Sequence, residues 1–304
     1  MPAFPGNCVT PITNEDCMNN INNLFKDEWP RISIVTPSYN QGHFIEETIR
    51  SVLLQGYPSL EYIIIDGGST DSTIDIIRKY ESQVSYWTSE SDRGQTHAIN
   101  KGWERSTGEI LAWLNSDDQY APGALFAVAE AYRRNPRATI AGQVINFQNT
   151  PAEPIGIIVQ KNLTWKHLLK FWEKQASWHQ PGIFFPRNAW QLVGPLDESF
   201  FYCMDRDFLV QLLQHTPVTY LDTVLAYFRV HDASKTGQRN LEGMLREKIR
   251  ILHKYQHLLS ASDCRSVCRF WGYMAYQYFK QRQLANSAYA VKQALRAGCR
   301  ILHL

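Results

Sequence analysis

Leu111-Ala-Trp-Leu-Asn-Ser-Asp-Asp-Gln-Tyr120 decides how the chain is read: an apolar run of strand character stops abruptly at two adjacent carboxylates, Asp117 and Asp118. In an open α/β sheet, ligands bind in the crevice beyond the carboxyl ends of the strands. Carboxylates at that edge are placed to hold a divalent cation against a phosphate. The same residues also suit an ordinary turn, with Pro122 opening the next helix. The sequence on either side has to decide.

Upstream, residues 32–36 read as a short strand, followed by the polar loop Pro37-Ser-Tyr-Asn-Gln-Gly42 and a helix carrying Ile45, Ile49, Val52 and Leu53 at helical spacing. Residues 61–65 form a second buried strand ending at Asp66-Gly-Gly-Ser-Thr-Asp71, and Ile74, Ile77 and Tyr80 mark a second helix. A third strand at 84–88 ends in Ser89-Glu-Ser-Asp-Arg-Gly94, a helix spans 95–106, and a fourth strand covers 109–114. Strands alternating with helices predict an α/β fold, a doubly wound and mostly parallel sheet whose polar loops converge on one edge.

Downstream, the pattern predicts a helix at 122–134, strands at 138–147 and 155–160, a helix at 163–172 and strand character at 180–185. A short helix at 188–193, a helix from Asp205 to about residue 215 and strands at 218–221 and 224–230 follow, the last delivering His231 to a polar loop. Three further helices are expected near 240–257, 262–282 and 285–298. The expected organisation is an N-terminal leader at 1–30 with a helix around 14–25, a main domain at 31–237, and a C-terminal helical appendage at 238–304. Trp271, Tyr273, Met274, Tyr276, Tyr278 and Phe279 crowd the middle C-terminal helix. Such a stripe reads first as packing. With Arg265, Arg269, Lys280, Arg282, Lys292, Arg296 and Arg300 beside it, peripheral membrane or protein contact is the other reading.

The formal charge of +2 gives none of the basic excess that nucleic-acid binding needs, so no nucleic-acid partner is expected. The six cysteines are scattered, and Cys264-x3-Cys268 lacks a second pair to complete a zinc site; they read as free thiols in a reducing cytosol. No run of 18 apolar residues predicts a membrane span, and residues 1–20 lack a secretory signal pattern. The expected location is the cytoplasm, or the inner face of the membrane by peripheral attachment. Pro37-Ser-Tyr-Asn-Gln-Gly42 supplies neither the glycine fingerprint of a dinucleotide-binding fold nor a Walker A loop. A nucleotide diphosphate laid across the sheet edge would engage every polar loop, with Thr36, Tyr39 and Asn40 at base and ribose and Asp66 accepting from a base N–H. Arg93 and Lys101 would add positive charge, and Asp117 with Asp118 would sit at the metal.

These segments resemble the family 2 glycosyltransferases of GT-A fold. Ile34-Val-Thr-Pro-Ser-Tyr-Asn40 looks like the family's opening strand and loop, and Ile65-Asp-Gly-Gly-Ser-Thr-Asp71 like its base-binding motif. Ser89-Glu-Ser-Asp-Arg-Gly94 with Ala98-Ile-Asn-Lys-Gly102 is similar to the segment flanking the nucleotide. Leu114-Asn-Ser-Asp-Asp118 occupies the metal-binding position, with Asn115 where many members have Asp. Gln180-Pro-Gly-Ile-Phe-Phe185 and Gly194-Pro-Leu-Asp-Glu198 resemble the lead-in to the acceptor side, where Trp178 and His179 are candidate lining. Met204-Asp-Arg-Asp207 is similar to the helix start that carries the catalytic base. His231-Asp-Ala-Ser-Lys235 resembles the late loop that closes over the diphosphate.

The resemblance covers about residues 30–236 and implies inverting transfer of a sugar from a nucleotide-diphosphate sugar, a UDP-sugar before others, to a hydroxyl of a surface polysaccharide or lipid-linked glycan. It implies Asp205 as general base, with Asp207 the alternative, and Mn2+ or Mg2+ held by Asp118 and His231 beside Asp117. It places Thr36, Pro37, Tyr39, Asn40, Glu46, Asp66, Gly67, Ser69, Asp92, Arg93, Gly94, Asn100, Lys101, Asn115, Ser116 and Asp117 around the donor. The competing expectation is a catalytically silent nucleotide-sugar-binding module that recruits partners through its C-terminal helices.

Overall fold

The structure is a computed structural model, and it describes residues 29–173, 178–231, 235, 241–280 and 282–302. The leader helix expected at 14–25 and most of the loop after His231 lie outside the described residues.

Strand β1 (Ile32–Ser38) pairs in parallel with β2 (Leu60–Asp66) and with β4 (Ile110–Trp113), and β2 pairs in parallel with β3 (Tyr86–Ser89). Helices α1 (Ile45–Leu53), α2 (Thr73–Lys79) and α3 (Gln95–Arg105) make the crossovers. Because strand side chains alternate between faces, each of these strands feeds two separate cores. Ile32, Ile34, Tyr62, Ile64, Ile110 and Ala112 join α1 and α2 on one face. Val35, Ile63, Ile65, Leu111 and Trp113 meet α3 on the other. This is the doubly wound arrangement expected from the alternation of elements. Gly102 on α3 lies so close to the sheet that a Cβ there would fall 2.4 Å from Val35 Cγ1.

The second half of the sheet departs from parallel pairing. After β5 (Gln119–Tyr120) and α4 (Ala124–Arg134) come β6 (Thr139–Phe147), β7 (Pro154–Ile158), α5 (Trp165–Leu169), β8 (Ile183–Pro186), α6 (Arg187–Val193), α7 (Met204–Leu212) and β9 (Val218–Arg229). The strand order is β3-β2-β1-β4-β8-β6-β9-β5, with β7 on β6. Strand β8 runs antiparallel to both β4 and β6, and β5 antiparallel to β9; only β6 and β9 pair in parallel. The two segments expected at 218–221 and 224–230 are one strand, with register shifts against β6 at Gly142/Gln143 and Gln143/Val144. A bulge accounts for the break: the extra residues disrupt the alternation without ending the strand.

Helices α8 (Leu241–Tyr255), α9 (Ala261–Lys280) and α10 (Leu284–Leu302) complete the chain. Ile251, Leu252, Val267, Phe270, Trp271 and Ala290 join the same core as α3 and α7. The stripe on α9 therefore divides: Trp271 is buried, whereas Tyr273 and Tyr276 are exposed. Trp103 centres that core, with Trp113 and Phe185 edge-on to its ring. Among the described residues no helix is long and apolar enough to cross a membrane.

Candidate active site

The first two loops are stitched together before any ligand is considered. Gly67 N–H donates to the Ser38 carbonyl at 2.8 Å, Asn40 N–H to Ser69 Oγ at 2.7 Å, and Thr70 N–H to Asn40 Oδ1 at 2.9 Å. Asn40 adopts φ 52, a left-handed backbone that asparagine tolerates when its amide bonds locally.

Several of the expected donor residues already have partners within the protein. Asp66 is fully buried; it accepts from Gly68 N–H, Ser69 N–H and Ser89 Oγ on Oδ2 and from Ser69 Oγ on Oδ1, which organises the loop and leaves little capacity for a base N–H. Thr36 is buried with its hydroxyl 3.1 Å from Tyr62 Oη, and Pro37 is buried in β1. Asn100 spends its amide on the main chain of Leu196 in both directions, at 2.9 Å each. Lys101 pairs with Glu90, and Arg93 holds both oxygens of Glu198. Glu46 accepts from Tyr80 Oη, and it is the neighbouring Glu47 that reaches towards the acidic turn. In each case a carboxylate, hydroxyl or main-chain group, mostly distant in sequence, holds the residue, and spacing in sequence does not reveal it.

Tyr39, by contrast, is exposed on the first loop, and the Asp92 carboxylate stands where a side chain at position 67 would be. A Cβ on Gly67 would meet Asp92 Oδ2 at 3.1 Å and Oδ1 at 3.2 Å. Asp92 Oδ1 also accepts from Gly94 N–H at 2.7 Å, at the start of α3.

The acidic turn follows β4. Asp117 Oδ2 and His231 Nε2 are 3.0 Å apart, although 114 residues separate them in sequence. Ser116 is buried, and Asn115 Nδ2 donates to Asp118 Oδ2 at 3.3 Å. Asp118 is buried and accepts the Arg229 N–H on Oδ1. Burial, then the charge of Asp117, holds the Asp118 carboxyl well above the usual carboxylate range. Arg229, absent from the sequence expectations, is 4% exposed and ties the turn down. It donates to the carbonyls of Asp117, Gln148 and Asn149 and to Glu47, between the rings of Phe44 and Phe147. The signal available for it was position alone, two residues before His231 at the end of an apolar strand. Gln95 was missed too: it donates to Asn115 and accepts from Lys235.

The two candidate bases on α7 are in different surroundings. Asp207 is fully buried, accepting from Lys254 Nζ on both oxygens, from Tyr255 Oη at 3.0 Å and from Gln211. Asp205 is half-buried and accepts from the Arg206 N–H; among the described residues no cation pairs with its carboxylate. The Arg206 side chain turns away to the Leu168 carbonyl and lies over Trp178. Burial raises the Asp205 carboxyl above its ordinary value. Burial also lowers the Lys235 ammonium, against which the charges of Glu247 and Asp205 act, so the residue that bonds Gln95 also lies within electrostatic reach of Asp205. His179 is pushed down to about 4 by burial and packs edge-on to Phe228.

Asp117 and His231 meet just beyond the end of β4, on a sheet covered by helices on both faces, an architecture of α/β class. The chain belongs to glycosyl transferase family 2, whose model matches residues 33–200, more than half of its length. Its fold is GT-A. It is 43% identical over 94 residues to TuaG of Bacillus subtilis, assigned to teichuronic acid biosynthesis, an alignment covering 30% of this chain and 37% of TuaG; the chain thus spans little over a third of that relative. Among solved structures it superimposes on residues 1–349 of S. aureus TarS in complex with UDP at TM-score 0.58 and 15% identity, covering 88% of this chain and 92% of that one. The mannosyltransferase PcManGT of Pyrobaculum calidifontis, in complex with GDP-Man and Mn2+, matches at TM-score 0.53 and 17% identity over 95% and 96%.

Proposed function

We propose that the chain transfers a sugar from a nucleotide-diphosphate sugar, a UDP-sugar first, to a hydroxyl of a surface polysaccharide or lipid-linked glycan, with inversion at the anomeric carbon. The observation that carries this reading is the meeting of Asp117 and His231 at the end of β4. The polysaccharide class follows the similarity to TuaG, and the donor class the UDP and GDP-Man complexes of the two structural relatives.

Among the described residues no group of three His, Cys, Asp or Glu side chains is assembled for a metal. The donor set still fits a hard divalent cation, which commonly takes one or two protein ligands and completes its shell with substrate phosphates and water. Asp117 and His231 are those ligands in this reading, and Asp118 supports the turn from behind. Bound there, Mn2+ or Mg2+ supplies positive charge to the departing diphosphate.

The chain's own residues do the rest. Asp205 takes the proton of the acceptor hydroxyl as that oxygen bonds to the anomeric carbon, and the bond from that carbon to the diphosphate oxygen breaks with its electron pair leaving on the nucleotide. With no cationic partner among the described residues and burial raising its affinity for a proton, Asp205 suits a base; Asp207, locked to α8, is a structural residue in this reading. Asp92 is the acceptor for a base N–H in this reading, since Asp66 already takes four bonds from its own loop and Ser89. Residues 31–237 form the catalytic unit, with 238–304 as an appendage sharing its core.

Calorimetric titration with UDP, GDP and dTDP and their sugars, with and without Mn2+, tests this. Metal-dependent binding of one nucleotide is expected. Absence of binding across the panel in folded protein overturns the reading.

A further inference from the structure

We propose that the outer face of α9 seats the protein on an anionic lipid bilayer. Residues 261–304 contain seven Lys and Arg against one acidic residue, Asp263, so this stretch carries +6 while the whole chain carries +2 and the preceding 260 residues carry −4. The near-neutral total hides a polarised molecule.

The charge has a geometry. Arg265, Arg269, Tyr273, Tyr276 and Lys280 are all exposed and follow one another at steps of four, four, three and four residues, which aligns them along one face of a helix. The opposite face, Cys264, Val267, Phe270, Trp271 and Ala275, is buried in the core. At 1.5 Å per residue the stripe runs about 22 Å. Tyr273 and Tyr276 are 60% and 56% exposed, and Val291 and Leu295 on α10 are 46% and 65% exposed.

These cations differ from those around the active site. Arg93, Lys101 and Arg229 each hold a carboxylate. Among the described residues no carboxylate pairs with Arg265, Arg269, Lys280, Lys292 or Arg296, and Asp263 is itself held by Lys166 on α5 and by Lys170 just beyond it. Basic side chains with no carboxylate partner among the described residues, interleaved with tyrosines along α9, fit the headgroup layer. The cations meet lipid phosphates there, and the amphipathic rings lie at the polar–apolar boundary. This surface depends on charge and exposure alone, so it stands whether or not the transferase reading holds.

The test is flotation of the full chain with vesicles of phosphatidylcholine alone and with about 30 mol% phosphatidylglycerol added. Binding should require the anionic lipid and be lost as salt rises to about 1 M, where screening shortens to about 3 Å. At about 1 kcal/mol per cation, Arg265→Gln/Arg269→Gln should weaken binding about thirtyfold. Tyr273→Ser/Tyr276→Ser should weaken binding while preserving its salt dependence. Nucleotide titration of the same variants should be unchanged. Binding indifferent to lipid charge, absence of binding, an unaffected Arg265→Gln/Arg269→Gln protein, or a concentration-dependent dimer abolished by these substitutions would each overturn the proposal.

Discussion

The main-chain N–H of Arg229 donates to Asp118 Oδ1 at 3.0 Å, and the same residue's guanidinium grips the carbonyl of Asp117. One arginine on β9 thereby fixes both halves of the acidic turn and orients the carboxylate that faces His231. Arg229→Lys keeps the charge but loses the planar fork that reaches several carbonyls at once. Since Glu47 is half-exposed, the ion pair itself contributes little; the cost falls on the orphaned carbonyls, about 1–3 kcal/mol. Groups supporting a metal ligand typically change affinity by about 10–100-fold. Arg229→Lys is therefore expected to lower the thermal midpoint modestly and to weaken Mn2+-dependent nucleotide binding at least tenfold, read by calorimetry.

Asp205→Asn should abolish transfer without lowering stability at neutral pH. Burial raises the folded-state pKa of Asp205 above its unfolded value. The stability linked to its proton is present below the unfolded pKa and lost as pH rises through the folded one. Asparagine removes that cost. A thermal midpoint at pH 7 equal to or above that of the parent protein, with donor binding retained and turnover gone, is the expected result. Turnover of the parent should fall on acidification at a pH above the usual carboxylate range. Normal turnover in Asp205→Asn would remove the base assignment.

Asp207 gives the matching control. Its carboxylate is sealed under Lys254 and Tyr255, and burial outweighs those partners in raising its pKa. Lys254→Met strands a buried carboxylate and should destabilise the protein, whereas Asp207→Asn, which keeps an acceptor, should cost less. Chemical denaturation separates the two, and both proteins should turn over substrate where they remain folded.

The parallel half of the fold was legible in the sequence because Ile32, Ile34, Val35, Ile63 and Ile64 serve two cores at once and leave near-continuous apolar runs. The antiparallel joins of β8 and the continuity of β9 were not, since neither strand direction nor a bulge alters local apolarity. The carboxylates Asp117 and Asp205 were legible as residues at element ends. Their partners were less so: whether Lys101 faces a phosphate or Glu90, or whether Asn100 faces a ribose or Leu196, depends on groups distant in sequence. Arg229 was invisible for the same reason, since its partners lie in three separate segments.

Gly67 and Asp92 form the last testable pair. Asp66 carries four bonds from its own loop and Ser89, three of them on Oδ2, and the Asp92 carboxylate stands within 3.2 Å of the Cβ that Gly67 lacks. Gly67 is not in the left-handed region, so Gly67→Ala adds a methyl without backbone strain and acts only by crowding that carboxylate. If Asp92 reads the base, Gly67→Ala should weaken nucleotide binding severalfold by displacing the acceptor, and Asp92→Asn should weaken it by a comparable or larger factor. A charged acceptor bonded to a neutral donor contributes about 1.5–3 kcal/mol, or roughly ten- to a hundredfold in affinity. Asp66→Asn should behave differently, lowering the thermal midpoint because Ser69 Oγ and Ser89 Oγ both donate to that carboxylate. Titration of UDP into the three proteins separates the roles: unchanged affinity in Asp92→Asn, with loss confined to Asp66→Asn at temperatures where it is folded, would return base recognition to Asp66.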